Sequence, residues 1–224
     1  MEPPFSTTLR PALATAALLA LALTACSPST GESPTSGAED TTASTTSAPP
    51  TSASPTEPVP ATSTSPAKNL PKPVMPPEAK EFSKEGYEAF VEYWFEAQNY
   101  GLATGDPEPF SAVSDERCGL CAQRLQAIET YNADGGWVVG GEVYAENFVT
   151  QLVPDDQEMY QGLFILRQEA IAAFDEEGNL KDGTKKDAVK TPFNSFAFFD
   201  EASGWKMAVV ASDETLEKMT TNDG

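Results

Sequence analysis

The chain has 224 residues, with 14 Lys or Arg against 34 Asp or Glu, three cysteines, no histidine and a formal net charge of −20. Without histidine there is no Ser-His-Asp triad, no imidazole base at neutral pH, and none of the commonest metal ligand. The acidic balance gives no attraction to phosphate backbones or anionic headgroups, so neither a nucleic-acid partner nor peripheral docking on lipid is expected.

Residues 11–25 read PALATAALLALALTA, an apolar run preceded by Arg10. It is shorter than the ~20 residues a spanning helix needs and has the form of a signal peptide. It ends in Leu23-Thr24-Ala25-Cys26, which resembles the bacterial lipobox: an aliphatic residue, two small residues and a cysteine that is acylated before cleavage. Residues 1–25 are therefore expected to be removed and Cys26 to become the first residue of the mature chain, with simple secretion as the alternative. Two acyl chains hold a protein on a bilayer where one does not. That predicts a palmitate-type anchor and an extracytoplasmic address at the cell membrane.

Residues 26–77 follow as a tether of Ser, Thr, Pro, Ala and Gly with almost no large apolar side chain before Leu70 and Val74. Nothing in it offsets the entropy of folding, so it is expected to be a disordered linker. Residues 78–224 hold nearly all of the negative charge and are long enough for one ordinary domain.

Within that domain, Ser83 is placed to cap a helix, with Phe82 before it able to staple onto Tyr87. Tyr87, Phe90, Val91, Trp94, Phe95 and Ala97 recur at spacings of three and four, a broad apolar stripe that reads as core. Gly105-Asp106-Pro107 should end the helix. Ser114-Asp115-Glu116 is expected to open a second one, with Cys118, Cys121, Leu125 and Ile128 on one face and a stop near Asp134-Gly135-Gly136.

From Trp137 the pattern changes to strand-like runs over residues 137–149, 160–174, 193–200 and 205–211. Turns are expected at Pro154-Asp155-Asp156 and Asp175–Gly178. The segment RQEAIAAF, residues 167–174, favours helix by propensity and competes with the second run. Residues 179–191 are polar and Lys-rich and read as a mobile loop. The last two runs form a hairpin through residues 201–204, with Trp205, Met207 and Val209 on one face. Helices followed by antiparallel strands give an α+β fold in which a curved sheet closes over the first helix and leaves a cone-like cavity.

Phe90–Phe95 followed by Leu102-Ala103-Thr104-Gly105-Asp106 resembles the nuclear-transport-factor-2-like superfamily. Within it, the lipobox, the proline-rich tether, Tyr93-Trp94, Gly105-Asp106 and Cys118-Gly119-Leu120-Cys121 resemble an actinobacterial lipoprotein family of unknown function, domain of unknown function 6318. The resemblance implies a fold and an address over about residues 76–212 and leaves the activity open, because the superfamily hosts enzymes and binding modules alike.

Cys118 and Cys121 are the one constellation with intrinsic chemistry. A structural disulfide is expected in an oxidising compartment. A thiol-redox site at the start of a helix is the functional rival, and zinc would lack half of its ligands. Superfamily members place a carboxylate and tyrosines inside the cone, so the resemblance offers Tyr87, Asp106, Glu142 and Tyr144 for an acid/base isomerase or cyclase. With Phe90 and Trp94 these are the expected pocket residues. The leading expectation is a non-catalytic domain that binds a small apolar ligand or an envelope protein, without metal or cofactor.

Overall fold

Ser83 sets the first helix. Its backbone is extended, its hydroxyl accepts the Gly86 amide N–H at 2.9 Å, and α1 (Lys84–Thr104) follows. Gly105, at φ 78°, closes α1 with its N–H on the Gly101 carbonyl, a left-handed position that glycine takes without a Cβ penalty. The computed structural model describes residues 57–183 and 189–222. They lie within the unit Ser52–Gly224. Cys26, the signal sequence and the tether as far as residue 56 lie outside the described residues.

The apolar stripe of α1 is the centre of the core. Tyr87, Phe90, Val91, Trp94 and Ala97 are completely buried, and each large side chain contributes about 1.5–3 kcal/mol by leaving water. Phe82 takes a different partner from the one its spacing predicts. It lays its ring against Tyr160, Phe199 and Trp205, and Trp205 in turn stacks on Tyr87 at 4.5 Å.

The second long helix begins later than its sequence suggests. A short helix, α2 (Glu108–Ala112), comes first, and α3 (Gly119–Asn132) starts after Cys118 rather than at Ser114. The Ser114 hydroxyl is already engaged, accepting from Trp94 Nε1 at 3.0 Å and donating to the Phe110 carbonyl at 2.8 Å. The Asp115 N–H donates to the Met207 carbonyl at 2.7 Å, so residues 113–115 run along a strand edge instead of entering a helix. α3 packs closely on α1, since a Cβ added to Gly101 would come within 2.8 Å of Ile128 Cδ1. Asn132 completes the joint by donating to the Leu102 and Ile128 carbonyls.

Among the described residues seven strands follow: β1 (Trp137–Gly140), β2 (Val143–Pro154), β3 (Tyr160–Gln168), β4 (Ile171–Phe174), β5 (Leu180–Gly183), β6 (Val189–Asp200) and β7 (Gly204–Ala211). They form two antiparallel sheets, β1-β4-β5 and β2-β3-β6-β7. Two of the predicted runs are each broken once, and the breaks face one another. Gly141 and Glu142 separate β1 from β2, with Gly140 and Gly141 at φ 70° and 83°, while Glu169 and Ala170 separate β3 from β4. The Gly141 N–H donates to the Ala170 carbonyl at 3.0 Å, and the Glu169 N–H donates to the Glu142 carbonyl at 2.9 Å. Cross-strand pairing thus overrides the helical propensity of RQEAIAAF. It also claims both ends of the predicted loop 179–191, since Leu180–Gly183 pairs with β4 and Val189 opens β6, while residues 184–188 lie outside the described residues.

The final hairpin forms as predicted, with one correction to its inward face. A register shift opposite Phe196 and Ala197 leaves Ala208 unpaired, so the alternation slips by one residue. Trp205, Met207 and Val210 enter the core, and Val209 does not. The chain ends in α4 (Asp213–Asn222), which the sequence reading did not include. Its cap is Ser212, whose hydroxyl accepts the Thr215 N–H at 3.4 Å.

Residues 57–77, assigned by composition to the tether, contact the domain. Val59 pairs with Lys68, Trp137 Nε1 donates to the Thr62 carbonyl at 2.8 Å, and Lys72 pairs with Asp106 at 3.2 Å and with Glu108. The described residues are an α+β arrangement of antiparallel sheets and few helices.

Candidate functional site

The crossing of α1 and α3 at Gly101 and Ile128 leaves a cleft of about 250 Å³ against the break in the β1–β2 and β3–β4 hairpin. Leu102, Ala127, Ile128 and Ile171 give it an apolar wall, and Gln98, Arg124 and Gln168 point to its polar character. Gln98 is 3% exposed, yet its side chain has no hydrogen-bond partner among the described residues. Arg124 Nε is buried and likewise has no partner. Burial pulls the Arg124 pKa below its ordinary value, opposed by the nearby Tyr131. At the rim the Tyr131 hydroxyl donates to Asp182 Oδ2 at 3.2 Å, and burial first, then Asp182, pushes that phenol upward.

A buried polar atom without a partner costs about 1–3 kcal/mol, and among the described residues Arg124 Nε is such an atom, with the unpartnered Gln98 amide lining the same cleft. The sequence held a signal for both. Gln98 lies four residues after Trp94 on the buried stripe of α1, and Arg124 lies between Cys121 and Ile128 on the inner face of α3. Each is a polar residue where the helical period asks for an apolar one.

The structure does not gather the six predicted pocket residues. Tyr87, Phe90 and Trp94 are completely inaccessible, so no space wide enough for a water molecule touches them. They fill the interior beneath the sheet instead of lining a cone. Tyr87 is held there by donating to the Tyr160 carbonyl at 2.9 Å and by the Ser195 hydroxyl at 3.0 Å, and burial pushes its phenol pKa above the ordinary range.

Asp106 sits just beyond the end of α1. The Glu108 amide and then Lys72 hold its carboxyl below the usual range, the opposite of the raised pKa an acid catalyst needs. Glu142 and Tyr144 border a separate groove of about 400 Å³ along α1, together with Glu92, Glu96 and Asn99. There Arg167 covers the Tyr144 ring at 4.2 Å and pairs with Glu146 at 2.8 Å. Asn99 clasps the start of β2 through both the N–H and the carbonyl of Val143, each at 2.9 Å.

Cys118 and Cys121 lie at disulfide-bonding distance, with Cα atoms 5.1 Å apart, compatible with the expected pairing. Each is 1% exposed. Among the described residues no group of three or more His, Cys, Asp or Glu is gathered to hold a metal ion, and no helix is long and apolar enough to cross a membrane.

No curated protein matches this chain. One protein family does, over residues 56–211, a stretch that opens at the docked segment before α1 and closes on the last residue of β7; on that match the chain belongs to the family of unknown function DUF6318.

Proposed function

We propose that this protein is an extracytoplasmic lipoprotein, held on the cell membrane through acylated Cys26, whose domain binds a small ligand with an apolar body and performs no catalysis. The observation that carries the reading is the cleft between α1, α3 and the broken hairpin, where an apolar wall meets the largely buried Gln98 and the half-buried Arg124, neither with a side-chain partner among the described residues. Ligand sites have this composition: mostly apolar lining with a few polar groups that fix orientation. The Leu23–Cys26 motif and the long tether support the address, and an actinobacterial source fits that combination. A four-stranded antiparallel sheet against α1 supports membership of the nuclear-transport-factor-2-like superfamily.

A catalytic reading has less support, because Asp106 is ionised in an exposed ion pair and shares no cleft with Glu142. The near-complete burial of Cys118 and Cys121 favours a structural disulfide over thiol exchange, which requires access to the sulfur.

An envelope-protein partner is the second reading. Val149, Val153 and Leu163 are 57%, 66% and 45% exposed around a surface depression that Phe196 also lines. Apolar side chains clustered in this way mark interaction surfaces.

Native mass spectrometry of the full chain, purified from its own host, tests the proposal. A reproducible added mass of a few hundred daltons or less, lost on denaturation and absent from Ala127→Phe, is the expected result. A bare mass, together with host proteins cross-linked at position 153, would move the function to the sheet face.

A further inference from the structure

Among the described residues the cleft has one cation in its lining, Arg124, and none of them pairs with it. Arg124 approaches no carboxylate among the described residues closely enough for an ion pair, in a chain where acidic residues outnumber basic ones by 34 to 14. Ordinarily such a chain would neutralise a half-buried guanidinium with one of its own carboxylates, because an uncompensated buried charge is costly. Asp182, the carboxylate at the rim, is exposed and already occupied. Its Oδ2 accepts from Tyr131 at 3.2 Å and its Oδ1 accepts from the Gly183 N–H at 2.7 Å. Gln98, 3% exposed and with no side-chain partner among the described residues, lines the same space.

Resting on the binding reading above, we infer that the ligand of this cleft is a small organic monocarboxylate, its carboxylate received by Arg124 and Gln98 and its apolar body laid against Leu102, Ala127, Ile128 and Ile171. A guanidinium presents a planar fork of N–H donors that matches a carboxylate in two parallel hydrogen bonds, and a neighbouring amide NH2 supplies a further donor. One cation balances one negative charge, and a phosphate dianion would leave charge uncompensated beside Asp182. The cleft holds the volume of about eight waters at ~30 Å³ each, which limits the ligand to a single ring or a short chain.

The probes are 4-fluorobenzoate and 8-fluorooctanoate, each paired with its neutral primary amide. They are titrated against the full chain in nanodiscs of neutral lipid and followed by fluorine NMR. At least one acid should bind, with its amide at least tenfold weaker, and Arg124→Gln should lower the affinity for the acid at least tenfold while leaving that for the amide unchanged. Gln98→Leu should weaken the acid several-fold, a check that does not depend on how Arg124→Gln folds.

Equal binding of acid and amide, both abolished by Ala127→Phe, would overturn the carboxylate assignment and keep the cleft as a binding site. If neither acid binds, or if binding is indifferent to both Arg124→Gln and Ala127→Phe, the carboxylate assignment falls; a bare native mass would then remove the binding reading as well.

Discussion

The hydroxyls of Tyr87 and Ser195 meet 3.0 Å apart in the buried centre of the domain, tying α1 to β6 across 108 residues of sequence. Tyr87 also donates to the Tyr160 carbonyl, so one phenol joins the helix to two strands. Replacing it by Phe keeps the ring packing and removes both bonds. Tyr87→Phe should destabilise by about 1–3 kcal/mol, because the groups left behind are buried. In a double-mutant cycle with Ser195→Ala, urea denaturation should show a coupling of about 1 kcal/mol; strict additivity would mean that the pair is only a contact.

The same phenol sets an alkaline limit. Its folded pKa is raised by burial, so its contribution is fully present below the unfolded tyrosine value of about 10 and is lost as pH climbs through the folded value. The wild type should therefore lose stability faster than Tyr87→Phe between pH 9 and pH 11. Parallel urea midpoints in the two proteins would contradict this.

Arg124 offers a test in the opposite direction. Exchanging a half-buried guanidinium that has no partner among the described residues for an apolar side chain removes a desolvation cost, so Arg124→Leu should stabilise by about 1 kcal/mol, a rise of about 2–4 °C in Tm for a domain of this size. A fall in Tm would show that the guanidinium has a stabilising partner. Stability given up to keep a binding residue is the usual signature of a site kept for function.

Two glycines should respond oppositely to alanine. Gly140 sits at φ 70°, and a Cβ there would collide with the Ala170 carbonyl oxygen across the hairpin break. Gly140→Ala should cost about 2–4 kcal/mol, since both the strain and the collision fall on backbone. Gly119, the first residue of α3, faces open space, and Gly119→Ala should be neutral or stabilise by up to about 1 kcal/mol. Thermal unfolding of the two variants side by side gives the comparison.

Changing Cys118 and Cys121 together to Ser should lower stability by about 2 kcal/mol, the chain-entropy value for so short a loop. Thiol-trapping mass spectrometry of the native protein in glutathione should find the pair resistant to exchange, as its burial dictates. Rapid reduction in the folded state would instead support a redox role.

A chain that begins at residue 78 should melt below one that begins at 57, because it loses the Thr62 carbonyl that Trp137 Nε1 now contacts. The cost is about 1–2 kcal/mol, with a red shift in indole emission as Trp137, 4% exposed in the present fold, meets water.

By itself the sequence determined the local order of this protein: the Ser83 cap, the apolar stripe from Tyr87 to Ala97, the Gly105 stop and the hairpin between β6 and β7. These follow from rules that act over a few residues, such as side-chain period, capping and left-handed glycine. Tertiary structure decided everything that depended on a distant partner. Ser114 caps no helix because Trp94 holds its hydroxyl, and RQEAIAAF is strand on either side of Glu169-Ala170 because β1, β2, β5 and β6 pair with it. Val210 replaces Val209 in the core because the bulge at Ala208 shifts the face. The candidate site was legible only as a misfit, Gln98 and Arg124 on otherwise apolar faces. Their meeting arises from α1 and α3 crossing at Gly101, a contact between helices that no local pattern specifies.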